Sequence, residues 1–311
     1  MAGDPASWRF DAIGTTWEIV TAAPLDEAAR AEVGAVIEAF DRTWSRFRAD
    51  SSVRALARAA GAVPAPPDAG PLLDAYAALS DATDGAVNPL VGASLERLGY
   101  DADYSLHDRL AAHGPRAAPE RWRDLVRWHG GVLEVREPAL VDVGALGKGR
   151  LVDLVLGVVR RAVPGDAIVD AGGDLAVRGR AQRIGLEHPF DPRRAIGVWE
   201  VTDAALCASA TNRRAWPSAT GTPLHHVLDA RTGLPVRTIA ATWATAPDAM
   251  RADAVATALF FDGGPRLARE WGVEWVRMTT DGRVEWSPGC VAELFVRGER
   301  AAPDRAGFAS E

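Results

Sequence analysis

Apolar residues near the start of the chain switch from a period of two to a helical one. "TTWEIV" alternates and is β-rich, which predicts a strand, and "DEAARAEVGAVIEAFDRTWSRF" then sets Val33, Val36, Ile37, Phe40 and Trp44 at helical spacing. "GAVPAPPDAG" carries the prolines and glycines of a loop. After it "PLLDAYAALSDATDG" resumes the helical period and stops at Gly85, a natural C-cap. Residues 100–124 are polar with short helical pieces, and "GVLEVREPALVDVG" holds two β-type runs about a turn at Glu137-Pro138. "GKGRLVDLVLGVVRRAV" reads as a helix, "DAIVDAGGDLAVRGR" as strand, Gly-Gly turn and strand, and "AIGVWEVTDAALCAS" as further strands. A polar, flexible stretch, "ATNRRAWPSATGTPLHHVLDARTGLP", precedes the strand "RTIAATWATA" and the helix "AMRADAVATALFF", which Asp248 caps. "WGVEWVRMTTDGRVEW" forms a strand pair turning at Asp281-Gly282, and residues 301–311 are expected to fray.

Strands and helices mix without a βαβ rhythm and without an internal repeat. The expected class is α+β, with mixed, largely antiparallel sheets flanked by helices. One domain is expected over residues 1–300, with room for two lobes, followed by a flexible tail at 301–311. The 48% hydrophobic and 25% charged content of the 311 residues is that of an ordinary globular protein. A formal net charge of -7 with scattered arginines speaks against nucleic acid or an anionic membrane as partner. Cys207 and Cys290 are too few for a disulfide framework and are read as buried apolar residues. The N-terminal residues lack a basic region followed by an apolar one, and no apolar run reaches the length of a span, so the expectation is a cytoplasmic protein with no membrane span.

Among 35 cationic residues only Lys148 is a lysine, and it sits in "DVGALGKG". A P-loop fails on spacing: Asp142 stands six positions before the lysine where glycine is needed, and Gly149 follows where a hydroxyl is needed. What remains is a small-residue turn with one cation, opening a helix whose N-terminus can face an anion, or simply a turn with a solvated lysine. In "VDAGGDL" the adjacent Gly172 and Gly173 allow backbone amides to touch a ligand, with Asp174 capping the turn or accepting from a ligand hydroxyl; an ordinary hairpin is the plainer alternative. In "ADAVAT" Asp253 and Thr257 are four apart, so both oxygens lie on one helical face. A carboxylate and a hydroxyl begin a hard oxygen set of the kind Mg²⁺ prefers, unless Thr257 bonds back into its own helix. In "HHVLDARTG" one of His225 and His226 is placed either to accept a proton from an incoming hydroxyl or to hydrogen-bond its own loop.

In their order and spacing, "IGTTWEI", "WSRFRADSSV", "DGAVNPL", "DVGALGKGRLVD", "VDAGGDL", "HHVLDARTG" and "ADAVATALFFDGG" resemble the ApbE family of flavin transferases, from about residue 10 to residue 265. The resemblance implies an ApbE-like fold and an enzyme that binds FAD as substrate with Mg²⁺. It would transfer the FMN half to a threonine or serine of a target flavoprotein and release AMP. An FAD pyrophosphatase producing FMN and AMP, and a flavin-binding protein without turnover, are the alternatives. Carried over position by position, the resemblance implies that Asp253, Thr257 and the carbonyl of Ala145 hold the metal. It implies flavin-nucleotide contacts at Ile13, Phe47, Ala86, Val87, Asn88, Asp142, Lys148 and Val227, and His226 as the catalytic base. Departures are Ile13 for the family's frequent Met, Phe47 for Tyr, "AVNPL" for an "AFDPT"-like run, "ASATNRR" for a "TSGxYxR"-like run that keeps only Ser209 and Arg214, and Asp229-Ala230 for Asp-Pro.

Overall fold

The computed structural model describes residues 5–295 and 298–300; the tail at 301–311 lies outside the described residues. A nine-stranded sheet organises the chain, in the order Ala6–Ala12, Thr15–Thr21, Ala167–Asp170, Asp174–Arg178, Ala205–Ala210, Ile239–Ala246, Glu274–Thr279, Val284–Trp286 and Gly298–Arg300. Every pairing in it is antiparallel except that of the last two strands. The α+β class is therefore the observed one.

Both faces of the sheet are covered, which is why consecutive residues of its central strands are buried, as at 174–177, 205–207 and 239–244. On one face lie the helices Glu27–Trp44, Gly147–Ala162 and Ala249–Ala258, which bring Val33, Ile37, Leu151, Val155 and Val255 against Trp17, Val169 and Ala244. On the other, Val177, Trp243 and Met278 meet Leu186, Ile196 and Trp199 of a small sheet formed by Gln182–Glu187, Ala195–Val201 and Glu293–Leu294. A second core surrounds the helix Ala69–Ala82 and the three-stranded sheet Gly61–Pro64, Val132–Val135, Val126–His129; Phe40 and Trp271 pack against both cores.

The periodic helices and strands form where the pattern places them, and the differences have local causes. The helix ending near Gly85 closes in a Schellman geometry in which Asp84 takes the left-handed position (φ 52°) and the Gly85 N–H reaches back to the Ser80 carbonyl at 2.8 Å. The first residues of the proline-rich loop pair as a strand with Val132–Val135. Residues 139–143 form no strand, because their backbone bonds go elsewhere: the Ala139 N–H to Leu56 O and the Asp142 N–H to Pro89 O. The stretch from 210 to 236 contains two short hairpins, anchored by buried Trp216, Leu224 and Leu228. Cys207 is buried, while Cys290 is only half-buried. Among the described residues no helix is long and apolar enough to cross a membrane.

Candidate active site

Helices Gly147–Ala162 and Ala249–Ala258 cross at Gly149. A Cβ there would stand 2.2 Å from the Ala249 carbonyl oxygen, so only glycine admits this approach. The close crossing lets the helices cap each other. The Gly149 N–H donates to Asp253 Oδ2 at 2.9 Å, and Asp153, one turn beyond Gly149, accepts from the N–H groups of Ala249 and Met250 at 2.8 and 2.9 Å. Asp248 completes the second cap by accepting from the Arg251 N–H. The helix N-terminus behind Lys148 thus faces an anion of its own chain, the Asp253 carboxylate.

Asp253 and Thr257 do share one helical face, and Thr257 does not bond back into its helix. Its hydroxyl donates to the Ala145 carbonyl at 3.0 Å, across to the "DVGA" turn. Tyr76 fixes that turn from behind: its hydroxyl donates to Asp142 O at 2.9 Å and accepts from the Ala145 N–H at 3.2 Å. The hydroxyl and the carbonyl therefore meet, and Asp253 lines the same cavity one turn away, a donor set that suits a hard cation of the Mg²⁺ type. Among the described residues no cluster of three or more His, Cys, Asp or Glu side chains is arranged to hold a metal, so oxygens from a bound ligand would have to complete the coordination.

Lys148 forms an ion pair with Asp174, which is wholly buried on the strand opposite. Asp174 therefore neither caps the Gly-Gly turn nor waits for a ligand hydroxyl. Asp170 caps that turn, its Oδ1 accepting from Gly172 and Gly173 N–H at 2.8 and 3.2 Å. Burial works against the Lys148 charge, but Asp174 and then Asp253 hold its ammonium above the usual value. Burial, then the like charge of Asp174, pushes Asp253 well above the usual carboxylate range. Two carboxyl groups share this one ammonium, and a further cation beside Asp253 would favour its ionised form. Such a site favours a dication over a bare phosphate.

The adjacent histidines are sorted by their strand. His225 turns inward, Nε2 lying 2.8 Å from the Val236 carbonyl, and burial pulls its pKa down to about 4. His226 faces the cavity half-buried, and burial followed by the charge of Arg214 lowers it to about 3, so the imidazole is neutral and its Nδ1 has no hydrogen-bond partner among the described residues.

Of the residues singled out from the sequence, Ile13, Phe47, Ala86, Val87, Asn88, Asp142, Ala145, Lys148, Gly172, Gly173, His226, Val227, Asp253 and Thr257 line one cavity of about 690 Å³, while Asp174 and His225 are not part of its lining. Besides Lys148, Asp253 and Thr257, two more of them bond to the protein. The Asn88 side chain bonds Pro119 O and the Leu90 N–H, and Asp142 accepts from Arg46 Nε at 2.6 Å and from the Gly144 N–H at 2.8 Å. Sequence reasoning missed Arg46, Tyr76, Tyr100 and Tyr104, which also line the cavity. Arg46 lies over the rings of Phe47 and Tyr100, and Tyr104 stacks on Phe47 with centroids 5.0 Å apart. No motif flags one arginine among so many; Tyr100 and Tyr104 lie in a stretch without periodicity, and Tyr76 sits on a helix where its place in the apolar pattern already reads as core.

The profile of the ApbE family matches residues 13–276. The chain belongs to the ApbE family. Curated relatives of this ApbE-family chain include proteins named FAD:protein FMN transferase from Rhodobacter capsulatus, 28% identical over 96% of this chain and 60% of that protein, and from Treponema pallidum, 29% identical over 89% and 84%. The chain thus spans about 60% of the length of the first relative. Its fold is that of the ApbE protein from Thermotoga maritima, with a TM-score of 0.79, 22% identity and coverage of 92% and 97% of the two chains. The apo flavinyl transferase ApbE of Pseudomonas stutzeri gives a TM-score of 0.75, 23% identity and coverage of 90% and 93%.

Proposed function

We propose that this chain is an FAD:protein FMN transferase that depends on Mg²⁺, attaches FMN through a phosphoester to a threonine or serine of a target flavoprotein, and releases AMP. The observation that carries the reading is the meeting of Ala145 O and Thr257 Oγ1 in one cavity that the buried Asp253, Lys148 and His226 also line. The names of the relatives support the same activity.

Bound Mg²⁺ would neutralise pyrophosphate charge and make the phosphorus more electrophilic. The rest falls to the protein. His226, neutral, takes the proton of the target hydroxyl, whose oxygen forms a bond to the phosphorus on the FMN side. The bond from that phosphorus to the bridging oxygen breaks, and AMP leaves with the electron pair. Lys148, steadied by Asp174, adds a fixed positive charge where negative charge develops. At the Gly172-Gly173 turn, which lines the same cavity, a Cβ on Gly172 would stand 2.2 Å from Thr15 Oγ1, so glycine lets the turn pack against the N-terminal hairpin. The test is incubation with FAD, Mg²⁺ and candidate acceptor flavoproteins, read by mass spectrometry. An FMN adduct with stoichiometric AMP is expected; FMN released as free product with every acceptor would show water to be the nucleophile and reject the transferase reading.

A further inference from the structure

Across the mouth of the cavity runs the loop of residues 99–107. Its neck is tied shut: the Leu106 N–H donates to Gly99 O at 2.8 Å, and a Cβ on Gly99 would stand 2.5 Å from the His107 nitrogen. Asp101 holds the interior by accepting from the Ser105 N–H and hydroxyl at 2.9 and 2.7 Å. Two residues with side chains occupy left-handed backbone, Tyr104 at φ 49° beyond the neck and Leu106 at φ 52° in it, and both side chains are exposed, by 48% and 41%. That conformation is unfavourable for any residue with a Cβ, and an exposed apolar contact does not repay it.

What the strained backbone achieves is the placement of one ring. Tyr104 lies nearly parallel to Phe47, at an interplanar angle of 13°, and edge-on to Tyr100. Its hydroxyl reaches the opposite rim, where a Cβ on Gly14 would meet it at 3.5 Å. Tyr104 therefore spans the opening from the Phe47 wall to the Ile13-Gly14 hairpin tip. A flat heteroaromatic ring entering this sector finds Phe47 already covered.

We propose that the Phe47–Tyr104 stack holds the place of the substrate's own fused ring: Tyr104 swings out on its loop to admit the nucleotide, whose ring then inserts between Phe47 and Tyr104. The loop is suited to this, being pinned at its neck while Tyr104 is held by ring contacts to Phe47 and Tyr100 and is itself half exposed. This inference rests on FAD being the substrate, and the chemistry recognised is a planar heteroaromatic ring, which FAD offers at both ends.

The experiment is titration of the full chain with FAD by flavin fluorescence and stopped flow, with FMN and AMP as separate probes of the two ends by calorimetry. Tyr104→Ala is expected to raise the FAD Kd about tenfold through faster dissociation, while Tyr104→Phe stays near the parental value, because stacking needs the ring and not the hydroxyl. Whichever of FMN and AMP loses affinity in Tyr104→Ala identifies the inserted ring. Unchanged FAD affinity in Tyr104→Ala, or an equal loss in Tyr104→Phe, overturns the proposal while leaving FAD as substrate. Failure of the parental protein to bind FAD overturns both. Unfolding curves of the variants guard against a fold defect, which an exposed side chain is not expected to cause.

Discussion

Asp174, on the floor of the cavity, is 0% exposed, while Tyr104, at its mouth, is 48% exposed, and the two regions are built accordingly. The floor is two helices and a strand locked by reciprocal caps, a buried ion pair and a glycine crossing that tolerates no added carbon. The mouth is a set of ring contacts, Arg46 and Phe47 on one side and Tyr100 and Tyr104 on a loop tied at its neck and across Asp101 and Ser105 on the other. Chemistry that depends on sub-ångström placement of charge belongs on the rigid part, and admission of a large substrate on the adaptable one. If that division holds, floor variants should lose catalysis or stability steeply and mouth variants should lose affinity mildly.

The largest effect is expected for Asp253→Ala, a loss of roughly a thousandfold in FMN transfer, since a metal's charge stabilisation is worth several kcal/mol. The companion Asp253→Asn should match it in activity yet unfold no more easily than the parent, because it removes a buried charge beside Asp174. Transfer at the parental rate in either variant would reject the metal assignment. Next comes Lys148→Ala, which strands Asp174 in the interior without its cation. About 3–5 kcal/mol should be lost in urea unfolding, much of it regained when Asp174→Asn is added. A loss under about 1 kcal/mol would mean that water reaches Asp174.

The floor also sets the response to acid. Burial raises Asp153 to about 6 from 3.8, so between those values the folded form binds more protons than the unfolded chain, and this group's contribution to stability falls as pH rises through that window. The shift corresponds to about 3 kcal/mol. His225 and His226, lowered to about 4 and about 3 from 6.5, act in the opposite sense: their contribution falls as pH drops below 6.5. Asp153→Asn removes the opposing group and should make the fall in Tm from pH 6 to pH 4 steeper than in the parent. Parallel Tm curves would show that Asp153 is not held in its buried, cap-bonded state. The smallest effect is expected at the mouth, where Phe47→Leu removes the ring contacts to Tyr100 and Tyr104 and should cost about 0.5–1.5 kcal/mol in urea unfolding. A loss exceeding that of Lys148→Ala would invert the comparison.

Much of the site was legible because helical spacing is a local property. Asp253 and Thr257 four residues apart had to share a face, and the glycines around Lys148 and at 172–173 announced close approach. Asp153 was equally readable, four residues after Gly149 on the same face, but its partner lies 96 residues away. Arg46 carried no local signal, and neither did Tyr104, whose importance comes from a backbone conformation that no composition reveals. The same limit explains the run at 139–143: its apolar pattern fits a strand, and only the bonds to Pro89 and Leu56 decide that it is not one.

By itself the sequence determined the helices, most strands and the α+β class, because periodicity is set by neighbours along the chain, and its resemblance to the ApbE family pointed to many, though not all, of the residues that line the cavity. Tertiary structure alone decided the partners of those residues: that Lys148 answers Asp174, that Asp253 and Asp153 cap each other's helices, that His226 and not His225 faces the cavity, and that Tyr104 covers Phe47. Charge pairing, burial and ring stacking act between segments far apart in sequence, and they take their values only once the chain has closed on itself.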